Sequence, residues 1–137
     1  MKRQLNILLI ITIWLVSCAP TEDEKAASLV QSIDSLYAQG KYADALDSIE
    51  SLRRTYPMAI ESRKHALTVW QNASLKLAQS DIAITDSALQ ATIAIIQAST
   101  SIGERNRLGV RRDSLKARYE AMCGVVRMIR MRQKEGK

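Results

Sequence analysis

The chain has 137 residues, 47% of them hydrophobic, a formal net charge of +6, one histidine, two cysteines, five glycines, two prolines and no phenylalanine. That length holds one domain, and one histidine with two cysteines excludes both a four-ligand zinc site without carboxylates and a disulfide-dense secreted scaffold. So few glycines and prolines cannot supply the many tight turns of a β-sandwich, so an all-α protein is expected.

Residues 1–17 read as a targeting segment. Lys2 and Arg3 form a positive start, and residues 5–16 are apolar except for Asn6 and Thr12, as in a secretory signal peptide. The stretch is shorter than the roughly 20 apolar residues of a spanning helix. Leu15-Val16-Ser17-Cys18 resembles a bacterial lipobox, in which a small residue before the cysteine permits cleavage and the thiol takes a diacylglyceryl group. The resemblance implies that Cys18 is the lipidation site and the new N-terminus, acylated with groups such as palmitate. It places the protein on the bacterial cell envelope, with the outer membrane as the expected location. An uncleaved anchor helix is the alternative.

Residues 18–25 follow as a lipidated cysteine and an acidic linker. Glu22, Asp23 and Glu24 resemble the acidic export signal that carries some Gram-negative lipoproteins to the cell surface. The same residues also spell a helix start, since Thr21 followed by Glu24 forms a capping box and acids suit a first turn.

Residues 26–57 are expected to form a helical hairpin. Leu29, Ile33, Leu36 and Tyr37 recur at helical spacing before Gly40, a left-handed stop. Tyr42, Ala45, Leu46, Ile49 and Leu52 share the face of a second helix, closed by Arg53, Arg54 and the breaker Pro57. The run Gly40-Lys41-Tyr42-Ala43-Asp44-Ala45-Leu46 and the later Pro57 resemble one tetratricopeptide repeat (TPR). The family packs its tyrosine between the helices and uses a small alanine for close approach, and its likeness implies a protein-interaction module. Ser32 and Ile33 depart from the family's leucine-glycine pair, and Leu52 stands where a small alanine is usual.

Residues 58–102 carry Ile60, Leu67, Trp70 and Leu77 on one helical side, with Ala66 and Ala73 beside them, and this side is expected to cover the hairpin. Trp70 is therefore assigned to the core, and His65, flanked by Arg63 and Lys64, to the surface. Ile82, Leu89, Ile93 and Ile96 continue the signal. A break near Ser80-Asp81 would make two helices; without it the rod is about 60 Å long. Residues 98–103 read as a turn and Gly109 as a softer breaker.

The last helix is expected from about Val110 to Gln133, within a basic segment 103–137. Leu108, Leu115, Met122 and Ile129 repeat at sevens, with Tyr119 and Val126 on the same stripe. Folding back on the preceding helix is the expectation, and a homodimeric coiled coil is the alternative. The fold class is thus all-α: a TPR-like hairpin followed by one or two long helices in an antiparallel, coiled-coil-like array. Asp-Ser recurs at 34, 47, 86 and 113 with no fixed period, as solvated helix positions do.

Residues 104–137 hold eleven Lys/Arg against four Asp/Glu. Arg105, Arg111, Arg112, Arg118, Arg127 and Arg130 are the candidate contact residues for a protein partner, acidic polysaccharide or anionic headgroups. A solvated face is the simpler reading of the same charges. Nucleic acid is not expected at an envelope address. Cys123 is read as a small buried residue, with an intermolecular disulfide as the alternative. No phosphate loop, metal motif or catalytic triad is present in the sequence, so neither an enzyme nor a cofactor is expected. The function expected is a non-enzymatic envelope scaffold or adaptor, with a glycan- or anionic-ligand-binding accessory module as the alternative.

Overall fold

A computed structural model describes residues 19–135. The proposed signal peptide and Cys18 lie outside the described residues. Helix accounts for 89% of the described residues, none of which is in a strand, and the class is all-α with long helices packed together. The helices are α1 (Glu22–Ala38), α2 (Tyr42–Thr55), α3 (Ile60–Ala98) and α4 (Ile102–Glu135).

The start of α1 is the capping box. Thr21 Oγ1 accepts from the Glu24 N–H at 3.2 Å, and Glu24 returns a carboxylate oxygen to the Thr21 N–H at 2.8 Å. The helix therefore begins at Glu22, inside the segment 18–25 expected as linker. Its end is a Schellman turn: the N–H of Gly40 reaches the Tyr37 carbonyl and that of Lys41 the Leu36 carbonyl, both at 3.0 Å. The turn requires φ of +75° at Gly40, a conformation costly to a residue with a Cβ. Helix α2 then begins at once and ends before Pro57, as its missing N–H and fixed φ dictate.

The hairpin core consists of Ala26 and Ile33 from α1 and Ala45, Ile49 and Leu52 from α2, all fully buried. From α3 it receives Ala59, Ser62, Ala66, Val69 and Ala73. This corrects the expected covering face. Ile60, Leu67, Trp70 and Leu77 are exposed, and it is the smaller side chains that meet the hairpin. Small residues let α3 approach closely, and a two-helix platform can cover only one side of it. Trp70 consequently lies at the edge, with the Arg53 guanidinium 5.9 Å from its ring centroid.

Two polar contacts fix how α3 meets α1. Asp23 Oδ1 accepts from the Ser62 N–H at 2.7 Å, and Asp34 Oδ1 lies 2.8 Å from His65 Nε2. The two aspartates are three turns and about 16 Å apart on α1, while Ser62 and His65 are separated by about 4.5 Å on α3. Both contacts therefore fall on the first two turns of α3. His65 is exposed, as its sequence neighbours imply.

Helix α3 runs unbroken through Ser80-Asp81 for 39 residues, about 58 Å. After the turn at Ser99-Thr100-Ser101, α4 begins at Ile102, eight residues before the expected start. Ser101 Oγ accepts from the Glu104 N–H at 3.4 Å and Ser99 Oγ donates to the Glu104 carboxylate at 2.8 Å, so this S-x-x-E signal starts the helix. Gly103 and Gly109 are inside it and break nothing.

Helix α4 folds back antiparallel on α3 and meets neither α1 nor α2. Leu108, Arg112, Leu115, Tyr119, Met122, Val126, Ile129 and Gln133, spaced alternately by four and three, are its buried or half-buried residues facing α3. Ala78, Ile82, Thr85, Leu89, Thr92 and Ile96 repeat the same spacing on α3. That is the seam of a two-stranded coiled coil. Its sides are unequal: the residues buried on α3 are Ala78, Thr85 and Thr92, with large side chains set against them from α4. Thr92 satisfies its hydroxyl on the Ala88 carbonyl at 2.8 Å. The register is pinned by Arg118 on Asp81, through two hydrogen bonds of 2.5 and 3.1 Å, and by Gln133 on Asn72 at 2.9 Å.

Asp23 does for α3 what Ala59, at its N-cap, cannot. It supplies the carboxylate that the free N–H groups of the first turn require. The hydrogen bond from the Ser62 backbone, with a further one from Glu61 and the charge of Lys64, holds the Asp23 carboxyl below its usual value of 3.8. A carboxylate with a lowered folded pKa contributes stability above its unfolded pKa and loses it as pH falls through the folded value. Asp23→Ala is therefore expected to lower the melting temperature by several degrees at pH 7. The gap from the parent protein should shrink below about pH 4 as the parent loses the same interaction. Thermal melts from pH 7 to pH 2.5 give the answer, and a gap independent of pH would refute the capping role.

Candidate interaction surfaces

The six candidate arginines of the basic segment do not form one patch. Arg118 is committed to Asp81, which raises its pKa further by hydrogen bonding and charge. Arg112 is half-buried at the seam beside Asp113, with a nitrogen at 2.7 Å from the carboxylate. Arg111 and Arg118, seven residues apart, share one flank with Arg132, fourteen residues further on. Arg130 lies on the opposite flank with Lys116. Arg127 is turned outward, and Arg105 sits at the open end of the seam. Arg105, Arg111, Arg127 and Arg130 are exposed and pair with no carboxylate among the described residues.

The acids of the N-terminal cluster each have a partner within the fold. Glu22 pairs with Lys25 at 3.1 Å, Asp23 caps α3 and Glu24 closes the capping box. The helix-start reading is thus the one that the geometry displays.

Two grooves flank α3. One, of about 460 Å³, is lined by Arg53, Ile60, Arg63, Lys64 and Leu67 where the hairpin meets the start of α3. The Arg63 guanidinium donates to the Pro57 carbonyl at 2.6 Å, and Lys64 is held by Glu61 at 2.8 Å. The second, of about 630 Å³, follows the far flank of the coiled coil past Asp86, Gln90, Arg112, Lys116, Tyr119 and Glu120. It also contains Asp113, so three carboxylates stand against two cations and an anionic ligand finds no net attraction there. Cys123 borders this side as a half-buried free thiol. The neighbouring Cys123 thiol and, after it, Asp86 raise the pKa of the Tyr119 phenol.

No family model matches this chain, and no curated protein or solved structure does so either.

The surface feature that sequence reasoning misplaced is the outward side of α3. Ile60, Leu67, Trp70, Leu77, Ile84 and Ile95 stand on it, with exposures of 59% at Ile60 and 67% at Ile84, far above what a packed core residue shows. The signal was present in the sequence as a second heptad series beside the seam. An apolar stripe at helical spacing looks the same in sequence whether it faces a core or a partner.

Proposed function

We propose that this chain is a lipid-anchored, non-enzymatic scaffold or adaptor of a bacterial cell envelope, held on the outer membrane through Cys18. The observation that carries the reading is the outward side of α3, where large apolar side chains remain exposed while smaller ones close the fold. Apolar surface is expensive to leave in water, at about 25 cal/mol per Å², and a contiguous exposed stripe marks a contact site more than a structural need. The TPR-like hairpin supports the same reading by resemblance. None of the described helices is long and apolar enough to cross a membrane; in this proposal the lipid on Cys18 supplies the anchor. Several acyl chains give stable anchoring where one does not.

Crosslinking and affinity purification of the lipidated protein from envelope extract tests the adaptor role. A reproducible protein partner crosslinked to α3 is expected, together with a blank glycan array. Recovery of no partner under either condition would refute it. A second reading, a glycan-binding accessory module, draws on the mixed polar groove with Tyr119, Gln90 and three carboxylates, the composition that sugar hydroxyls favour. A positive array signal lost in Tyr119→Ala would favour that module instead.

The anchor has its own test. Cys18→Ala is expected to abolish incorporation of radiolabelled palmitate completely, and globomycin to make the uncleaved form of the parent protein accumulate. Mass spectrometry showing an intact Met1 in the untreated membrane fraction would refute lipidation.

A further inference from the structure

The uncovered stripe on α3 has the pattern of a second coiled-coil seam. Ile60, Leu67 and Ile95 fall in one series of sevens, with Ser74, Asp81 and Ala88 between the last two, and Trp70, Leu77 and Ile84 fall in another three residues ahead. From Ile60 to Ile95 it extends about 52 Å. Helix α4 covers the neighbouring seam and leaves this one bare.

The contact between Asp81 and Arg118 tells which side of α4 borders the stripe. Asp81 belongs to the Ile60 and Leu67 series, and Arg118 to the row Glu104, Arg111, Arg118, Val125 and Arg132, in which Arg111 and Arg132 have no ion-pair partner among the described residues. Two unpaired arginines, Arg111 and Arg132, therefore stand along one rim, with Arg118 between them. Arg53 and Arg63 stand at the stripe's N-terminal end. The carboxylate within the two series is Asp81, and Arg118 already neutralises it.

We propose that this stripe docks an amphipathic helix with acidic flanks, which would complete a three-helix coiled coil with α3 and α4. The proposal rests on the adaptor reading and gives its partner a chemistry. Apolar residues at heptad spacing would fill the bare seam, and glutamates or aspartates beside them would meet the arginine rim. A second copy of this chain fits less well, because it brings the same arginine rim and no row of carboxylates to meet it.

The test uses the full chain in nanodiscs of neutral lipid and two fluorescent heptad peptides of about 28 residues. Both carry leucine at their seam positions. One has glutamate on its flanks and the other lysine. Anisotropy titration is expected to show the acidic peptide binding at least tenfold more tightly than the basic one. The double variant Leu67→Glu with Leu77→Glu should lose the acidic peptide while keeping its helical circular dichroism. Arg111→Glu with Arg132→Glu, on the exposed rim, should reverse the preference between the peptides.

Equal binding of the two peptides, or binding unaffected by the leucine variants, would overturn the proposal. So would a concentration-dependent dimer in sedimentation that Leu77→Glu dissociates, since a second copy would then own the seam. Binding of anionic vesicles that depends on Leu77, with neither peptide bound, would overturn it in favour of a lipid surface. An envelope partner that survives the leucine variants would leave the adaptor role standing and remove this seam from it. Conversely, selective capture of the acidic peptide with no envelope partner would uphold the seam and remove the adaptor role.

Discussion

Leu52→Ala is expected to destabilise the protein by about 2–5 kcal/mol, while Leu67→Ala should change its stability by less than about 1 kcal/mol. The two leucines differ in what surrounds them. Leu52, fully buried at the C-terminal end of α2, fills the junction where α1, α2 and the start of α3 meet, in one cluster with Ile33, Ile49, Ala59 and Val69. Removing its branched end leaves a void that small neighbours such as Ala59 and Ala66 cannot fill. The lost transfer energy and the cavity therefore add. Leu67 is on α3 as well as near this junction, but it is 46% exposed and turned away from the hairpin. Chemical denaturation measures both. A cost at Leu67 equal to that at Leu52 would mean that the α3 stripe is part of the core, and with it the argument for a docking face would fall. The TPR resemblance places a small alanine where Leu52 stands; the complete burial of this leucine shows that the larger side chain is accommodated between the helices.

How much of this could be seen in the sequence depends on the range of the interaction involved. Gly40, Pro57 and the pair Thr21 and Glu24 announce helix ends because capping is local chemistry, settled within four or five residues. The S-x-x-E signal of Ser101 and Glu104 was equally local, but two glycines nearby suggested a break that the helix absorbs. The α4 seam was visible because Leu108, Leu115, Met122 and Ile129 repeat at sevens. Its counterpart on α3 is half legible: Ile82, Leu89 and Ile96 repeat at sevens, whereas Ala78, Thr85 and Thr92 carry little apolar signal and are buried for their small size. The phase of the first half of α3 is obscured for the same reason. Large residues attract an assignment to the core, yet close helix approach selected Ser62, Ala66 and Ala73. Contacts such as Asp23 with Ser62, 39 residues apart, have no sequence signature at all. The six candidate arginines illustrate a further limit: net charge locates a basic helix, but only its register against α3 separates Arg118, bound to Asp81, from Arg111 and Arg130 in solvent.

The continuity of α3 leads to the other large expected effect. Ser80→Pro should destabilise the protein by about 3 kcal/mol or more, although Ser80 is exposed and its side chain fills no space in the core. Proline there removes the N–H that bonds to the carbonyl of Lys76 and pushes its ring against that carbonyl, so the helix must kink. The cost does not stop at one hydrogen bond. Asp81 and Ile82 follow immediately, and a kink at Ser80 would carry them away from Arg118 and the α4 seam. The hairpin and the coiled coil would then no longer share one straight rod. Ile102→Pro is the matched control. Ile102 opens α4 just after Ser101, where its N–H has no acceptor within the helix and proline's fixed φ suits the first turn, so a change within about 0.5 kcal/mol is expected. Urea denaturation of the two variants separates the cases. If α3 were two helices with a flexible joint at Ser80-Asp81, both prolines would be tolerated alike. A large loss at Ser80 with none at Ile102 is what a single 39-residue helix demands. The stripe from Ile60 to Ile95 depends on the same continuity, because only an unbroken helix keeps its two heptad series in line along the arginine rim.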